Sequence, residues 1–300
     1  RAKGSSAHSS ACRLTARVLC ALLLCVCLTG GYAQPVAWAN TSAAIHGTLK
    51  EQANNGSGWG DYVISNGTYS TAWGNETEAT NNYATAWGNQ TKATESKATA
   101  WGYYSKASAE GATAWGESTT ASGAYATAWG YGTQALAVYS TAWGDQTKAN
   151  NLYATAWGNK TTASGSHSTA WGDSTTASGT YATAWGKNTS ATASNATAWG
   201  YASKAAEQYA TAWGHDTVAS GTGATAWGKG STDNPVTASG DYATAWGNKT
   251  TAAGMYSTAF GSASVANGEN SLAALGGTTA DGSKNAAAIG NGATASLADT

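Results

Sequence analysis

The feature that most limits the fold is a tetrapeptide that returns at a fixed interval. Thr-Ala-Trp-Gly occurs thirteen times, with its tryptophans at Trp73, Trp87, Trp101, Trp115, Trp129, Trp143, Trp157, Trp171, Trp185, Trp199, Trp213, Trp227 and Trp246. Every step up to Trp227 is 14 residues, and the step to Trp246 is 19. Trp59-Gly60 before the array and Phe260-Gly261 after it keep the same interval. A constant period of this kind is the mark of a repeat architecture. Such chains are quasi-one-dimensional, so 300 residues form one long domain rather than two globular ones.

One unit runs from Tyr153 to Ser166: Tyr-Ala-Thr-Ala-Trp-Gly-Asn-Lys-Thr-Thr-Ala-Ser-Gly-Ser. Two short extended pieces fit in it, each followed by a turn. Gly158 is expected to end the first piece and Ser164-Gly165 the second, with glycine supplying positive φ at the corners. Helices are excluded, because the segments are four or five residues long, rich in Thr and interrupted by Gly.

Strand alternation assigns the faces. Ala154 and Ala156 share one side of the first piece, and Thr155 and Trp157 the other. Thr161 and Ala163 share a side of the second. Only small residues suit the inside of so tight a coil, so the Ala and Thr161-type positions are placed inside, and Thr155 and Trp157 outside. Stacked coils then form parallel, in-register ladders about 4.8 Å apart. An interior of Ala and Thr buries little apolar area. One outer face meanwhile carries a column of indoles, each able to bury roughly 150–250 Å². That exceeds several-fold the roughly 300–600 Å² apolar patch usual on a monomer. The column is therefore expected to be a subunit interface. A ligand-binding surface, or core if the faces are inverted, are the alternatives. A rod with one apolar stripe closes most simply by cyclic association about an axis along the rod.

Ahead of the array, Arg13 and Arg17 precede an apolar run from Val18 to Leu28, followed by Thr-Gly-Gly-Tyr-Ala-Gln. This has the form of a cleaved secretory signal with Gly31 and Ala33 at the −3 and −1 positions. About 11 apolar residues fall short of the ~20 that a membrane span needs. All four cysteines (Cys12, Cys20, Cys25, Cys27) lie in or before this segment, so the mature chain is expected to hold no disulfide. The organisation expected is a signal region at 1–33, a non-repeat lead-in at 34–58, and repeats over 59–300 with a loop insertion near 230–236.

After Phe260 the pattern drifts. Asn270-Ser-Leu-Ala-Ala-Leu-Gly276 and Asn285-Ala-Ala-Ala-Ile-Gly290 keep the spacing within a residue, with Leu275 and Ile289 in place of tryptophan. These last units resemble the head repeat of trimeric autotransporter adhesins, the YadA-like head family, whose signature is close to Asn-Ser-Val-Ala-Ile-Gly-x-x-Ser every 14 residues. The Ala-Thr-Ala-Trp-Gly units look like a variant with Trp at the Ile position. The resemblance spans roughly residues 59 to 295. It implies an all-β, left-handed parallel β-roll and a homotrimer with the Trp column, Phe260, Leu275 and Ile289 towards a shared axis. It also implies a non-catalytic adhesin head that attaches to host cells or to matrix proteins such as collagen. Membrane anchoring would come only through a C-terminal part not present in this sequence, placing the head at a bacterial cell surface.

Enzyme chemistry finds no support. His8, His46, His167 and His215 are scattered, and no catalytic, phosphate-loop or metal-spacing motif recurs. No cofactor is expected. Charged residues are 10%, far below the usual quarter, and the net charge of −1 gives no case for nucleic acid or an anionic membrane. Nine Asn-x-Ser/Thr sequons, among them Asn66, Asn75, Asn89, Asn159, Asn195 and Asn248, follow from Asn at turns and Thr in the repeat. Lys92, Lys106, Glu117, Lys148, Lys160 and Lys204 are read as turn residues open to a ligand or simply to water. A second class of function remains: a secreted ice- or glycan-binding solenoid using an exposed Thr-x-Trp ladder.

Overall fold

The computed structural model describes residues 49–52 and 56–296. The signal region falls outside them. The described residues are all strand, turn and bend, wound into a parallel β-solenoid of about 17 turns of ~14 residues. Each turn carries one long strand and one short one, as in Thr155–Asn159 and Thr162–Ala163. Long strands stack only on long strands. Thr155, Ala156, Trp157 and Gly158 pair with Thr169, Ala170, Trp171 and Gly172, and the same register holds from one coil to the next. Short strands form a second, 18-stranded ladder on the opposite side.

The ladder starts ahead of the first Trp-Gly. Leu49–Gln52, inside the segment read as a lead-in, pairs in parallel with Val63–Ser65. A short strand needs only inward alternation, so it carries no Trp-Gly signature to reveal it.

The interior is the predicted one. Ala154, Ala156, Thr161 and Ala163 are fully buried, as are their counterparts along the rod. Coil-to-coil hydrogen bonds continue through the corners: Lys160 N–H donates to Asp145 O at 2.8 Å and Ser164 N–H to Ala177 O at 2.9 Å. Backbone pairing is thus almost continuous around each turn, which a fold with so little apolar filling requires.

The corners match expectation in part. Gly158 holds positive φ (125), but the long strand runs one residue past it, to Asn159, and Lys160 (φ 50) and Tyr153 (φ 55) are left-handed as well. Gly165 does not have positive φ. It is needed for close approach instead, because a β-carbon there would lie 1.9 Å from the carbonyl oxygen of Gly179 in the next coil. Most left-handed slots hold Tyr, Lys, Gln or Asn. The strain, ~1–2 kcal/mol for a non-glycine residue, is carried because the adjoining ladders fix the corner on both sides.

The insertion leaves the solenoid intact. Thr225–Lys229 pairs with Thr244–Asn248 in register, and the extra residues form a loop closed by Ser231 and Asn234. The loop leaves from the corner after the Trp strand, where an addition disturbs neither ladder.

Candidate functional site

The long-strand face carries the candidate site. Its tryptophans point outward, from Trp59 through Trp246, with about two-fifths of most rings in solvent (Trp157, 42%). In-register strands place each indole over the next. Trp143 and Trp157 stack at 4.9 Å with planes 5° apart, and Trp157 and Trp171 at 4.8 Å and 2°. The stack runs unbroken from Trp73 to Trp246, including the step across the insertion (5.3 Å, 5°). Its first member is askew, with Trp59 tilted 36° from Trp73.

This geometry decides what the column can offer. Ring faces are covered by neighbouring rings, so edges are what the surface presents. The indole N–H groups make no hydrogen bond among the described residues. An occupant must therefore be a surface that packs against ring edges.

The end of the column departs from the sequence expectation. Phe260 pairs with Ala274, and Ala274 with Ile289. Leu275 stands one residue beyond the column, in a left-handed turn (φ 54), with its N–H donating to Phe260 O at 3.1 Å. Phe260 to Ala274 is the usual 14 residues, so Leu275 falls where the Trp coils carry the glycine that follows Trp, and the extra length of this coil lies later, with eight residues from Thr279 to Ala287 against six from Ala266 to Leu272. Leu275 and Ile289 are both exposed.

A second aromatic column was not singled out from the sequence. The left-handed corner residues Tyr125, Tyr139, Tyr153, His167 and Tyr181 lie one over another, with Tyr139 and Tyr153 stacked at 5.1 Å and His167 and Tyr181 at 4.8 Å. Its signal was a tyrosine four residues before most tryptophans. His215 pairs elsewhere, with its Nδ1 2.8 Å from Asp216 Oδ2 and its ring stacked on Tyr201.

The lysines expected at turns mostly sit in strands. Lys92, Lys106, Lys148 and Lys204 fill the outward position of short strands, where alternation turns a side chain to solvent. Lys160 alone holds a corner, and Glu117 closes a long strand.

One cleft of about 460 Å³ opens near the N-terminal coils, lined by Tyr62, Ile64, Glu76, Glu78, Gln90, Lys92 and Tyr104. Its polar groups serve one another: Gln90 Nε2 donates to Glu76 Oε2 and Lys92 Nζ pairs with Glu78 Oε1, both at 2.7 Å. Beside it, a hydrogen bond to Tyr104 holds the Tyr103 phenol above the usual tyrosine value. Among the described residues, no group of three or more His, Asp or Glu could hold a metal ion.

No curated protein matches the chain. The family model for the YadA head domain repeat matches at 65–91, 107–133, 121–147, 149–175, 163–189, 214–232, 238–264 and 252–274. Those segments together cover more than half of the 300 residues and fall on the coils that carry the indole ladder. With in-register strands, an all-small interior and this match over the same coils, the chain belongs to the YadA head repeat family of adhesin heads.

Proposed function

We propose that this chain is the head of a surface adhesin that self-associates along its Trp column, as a homotrimer, and presents its remaining columns to a host surface or matrix protein. The observation that carries this reading is the exposed indole stack. With ~150–250 Å² on each ring and about two-fifths of it open, fourteen rings leave on the order of 1,000 Å² of apolar edge in solvent. A stable interface takes roughly 800 Å² per partner. The stripe is also continuous from Trp73 to Trp246, as a shared axis along the solenoid requires.

The Tyr column, the short-strand lysines and the insertion loop lie off that stripe. They supply the ligand-facing chemistry, spread over many coils and suited to an extended partner such as collagen. The glycan alternative calls for sugars lying on ring faces, and those faces are occupied by neighbouring rings.

The test is the absolute mass of the secreted chain by light scattering, with tryptophan emission read on the same sample. A trimer with blue-shifted emission is expected. A monomer with water-exposed emission overturns the reading and returns the Thr-x-Trp face to ice and glycan assays.

A further inference from the structure

The Trp face is nearly the same at every level. From Trp73 to Trp246 each level presents Thr, Trp and Gly over a buried Ala, and the rings follow one another at 4.7–5.3 Å. Two copies slid past each other by one level, about 4.8 Å, would meet almost the same surface. They would lose only the level left overhanging at each end. A pattern this uniform specifies register weakly, as it does between flat strands. Copies joined with a constant offset would also fail to close, and such contacts propagate into filaments.

Among the described residues, the column loses its indoles in one place. After Trp246 the column reads Phe260, Ala274 and Ile289 in three successive levels. A phenyl ring, a fully buried methyl and a branched aliphatic side chain thus replace three indoles, and Leu275 projects beside the second of them, 59% exposed. A slip of one level sets Phe260 against Trp246 or Ala274, and Ala274 against Ile289. The rest of the face registers no such mismatch.

We propose that the coils bearing Phe260, Ala274, Leu275 and Ile289 are the register key of self-association: they determine which coil of one copy faces which coil of the next. The partner is a second copy of this chain in parallel alignment. This rests on the reading that the Trp face is the self-association surface. In this division of roles the long Trp array supplies affinity without alignment, and the three irregular levels supply alignment with little area. It also gives Leu275 a use: it stands where every Trp coil carries glycine, so its side chain marks this level.

The experiment uses the full chain with Cys12, Cys20, Cys25 and Cys27 replaced by Ser, so that added cysteines report alone. Trp157→Cys and Trp171→Cys chains are mixed, assembled, oxidised and mapped by mass spectrometry. A disulfide needs Cα atoms within about 4.4–6.8 Å, so same-level and offset pairs separate. In the native background we expect 157–157 and 171–171 links, with 157–171 links at least tenfold rarer. In a regularised background (Phe260→Trp, Ala274→Trp, Leu275→Gly, Ile289→Trp) the 157–171 links should rise to a comparable share. Same-level links alone in the regularised assembly would overturn the register key while leaving self-association standing. A monomer by light scattering, with no links in either background, would overturn the underlying reading instead. Should that chain fail to fold, Phe260→Trp with Ile289→Trp, leaving Ala274 and Leu275 in place, is the second background. There the 157–171 links should rise by a smaller factor, and an unchanged share would count against the key.

Discussion

A β-carbon built on Gly158 would lie 1.9 Å from the carbonyl oxygen of Gly172, one coil further on. The same approach recurs along the column, at Gly144 on Gly158 and at Gly172 on Gly186. Gly158 also sits at φ 125, a region side chains avoid. Two requirements therefore meet on one atom, and relaxing the backbone cannot satisfy both while the ladder is kept. Gly158→Ala should cost ~3–5 kcal/mol, at the high end for a single substitution. Hydrogen exchange is the direct check: amides of Thr155–Asn159 and Thr169–Asp173 should lose protection, with distant coils unaffected, as nearest-neighbour coupling in a solenoid predicts. Uniform protection across the mutant would contradict this account.

The Ala column limits the interior in another way. Ala156 is fully buried, with Ala142 and Ala170 paired to it from the coils on either side. Ala156→Leu would add three carbons to the interior of its own level, where both flanking coils are built for a methyl. Overfilling of this kind costs typically ~1–3 kcal/mol, and here the rigid ladders should hold the effect at the upper end. The expected result is a lower midpoint in urea and faster proteolysis near that coil. Ala156→Ser, close in volume, should be far milder.

How far the sequence reveals this fold depends on what each residue's role is written in. Size and alternation are legible, so the placing of Ala154, Ala156, Thr161 and Ala163 inside and Trp157 outside follows directly from the repeat. Backbone strain is not. Gly158 holds positive φ as expected, yet so do Lys160 and Tyr153, because tertiary pairing on both sides outweighs a local preference. Ring orientation is equally hidden: the sequence announces a Trp column, but only coil spacing turns its rings face to face. Leu275 shows the limit of counting, since a 15-residue step places either Ala274 or Leu275 in the column, and backbone pairing chose Ala274.

The buried hydroxyl of Thr161 leads to a prediction of opposite sign. Its Oγ1 finds no hydrogen-bond partner among the described residues, and neither do those of Thr147 and Thr175 in the same column. Two coils carry valine at that position: Val63 and Val236 are both fully buried there. The fold therefore accepts the isosteric apolar residue. An unsatisfied buried hydroxyl costs ~1–3 kcal/mol, so Thr161→Val should be neutral or stabilising by up to ~1 kcal/mol, read as an unchanged or raised melting temperature. A clear loss of stability would show that the hydroxyl is bound by a group outside the chain's own atoms.

The Trp column separates solenoid stability from association, and the two respond differently to substitution. Trp157→Ala removes two ring stacks, with Trp143 and Trp171, each worth ~0.5–1.5 kcal/mol beyond area. Local stability should fall, but an interface shared among fourteen rings should keep its mass. Lysine at every third ring (Trp115→Lys, Trp157→Lys, Trp199→Lys) should act the other way. Each ammonium group reaches water from an outward position in the isolated solenoid, its stem covering the strand below. Between copies the same charge would be stripped of water with no partner, at a cost of several kcal/mol for each ion. The triple variant should retain the strand signal in circular dichroism and scatter light as a monomer, with red-shifted emission from the remaining tryptophans. If it keeps the native assembled mass, the copies meet on some other face, and the Tyr column and the short-strand ladder become the surfaces to substitute next.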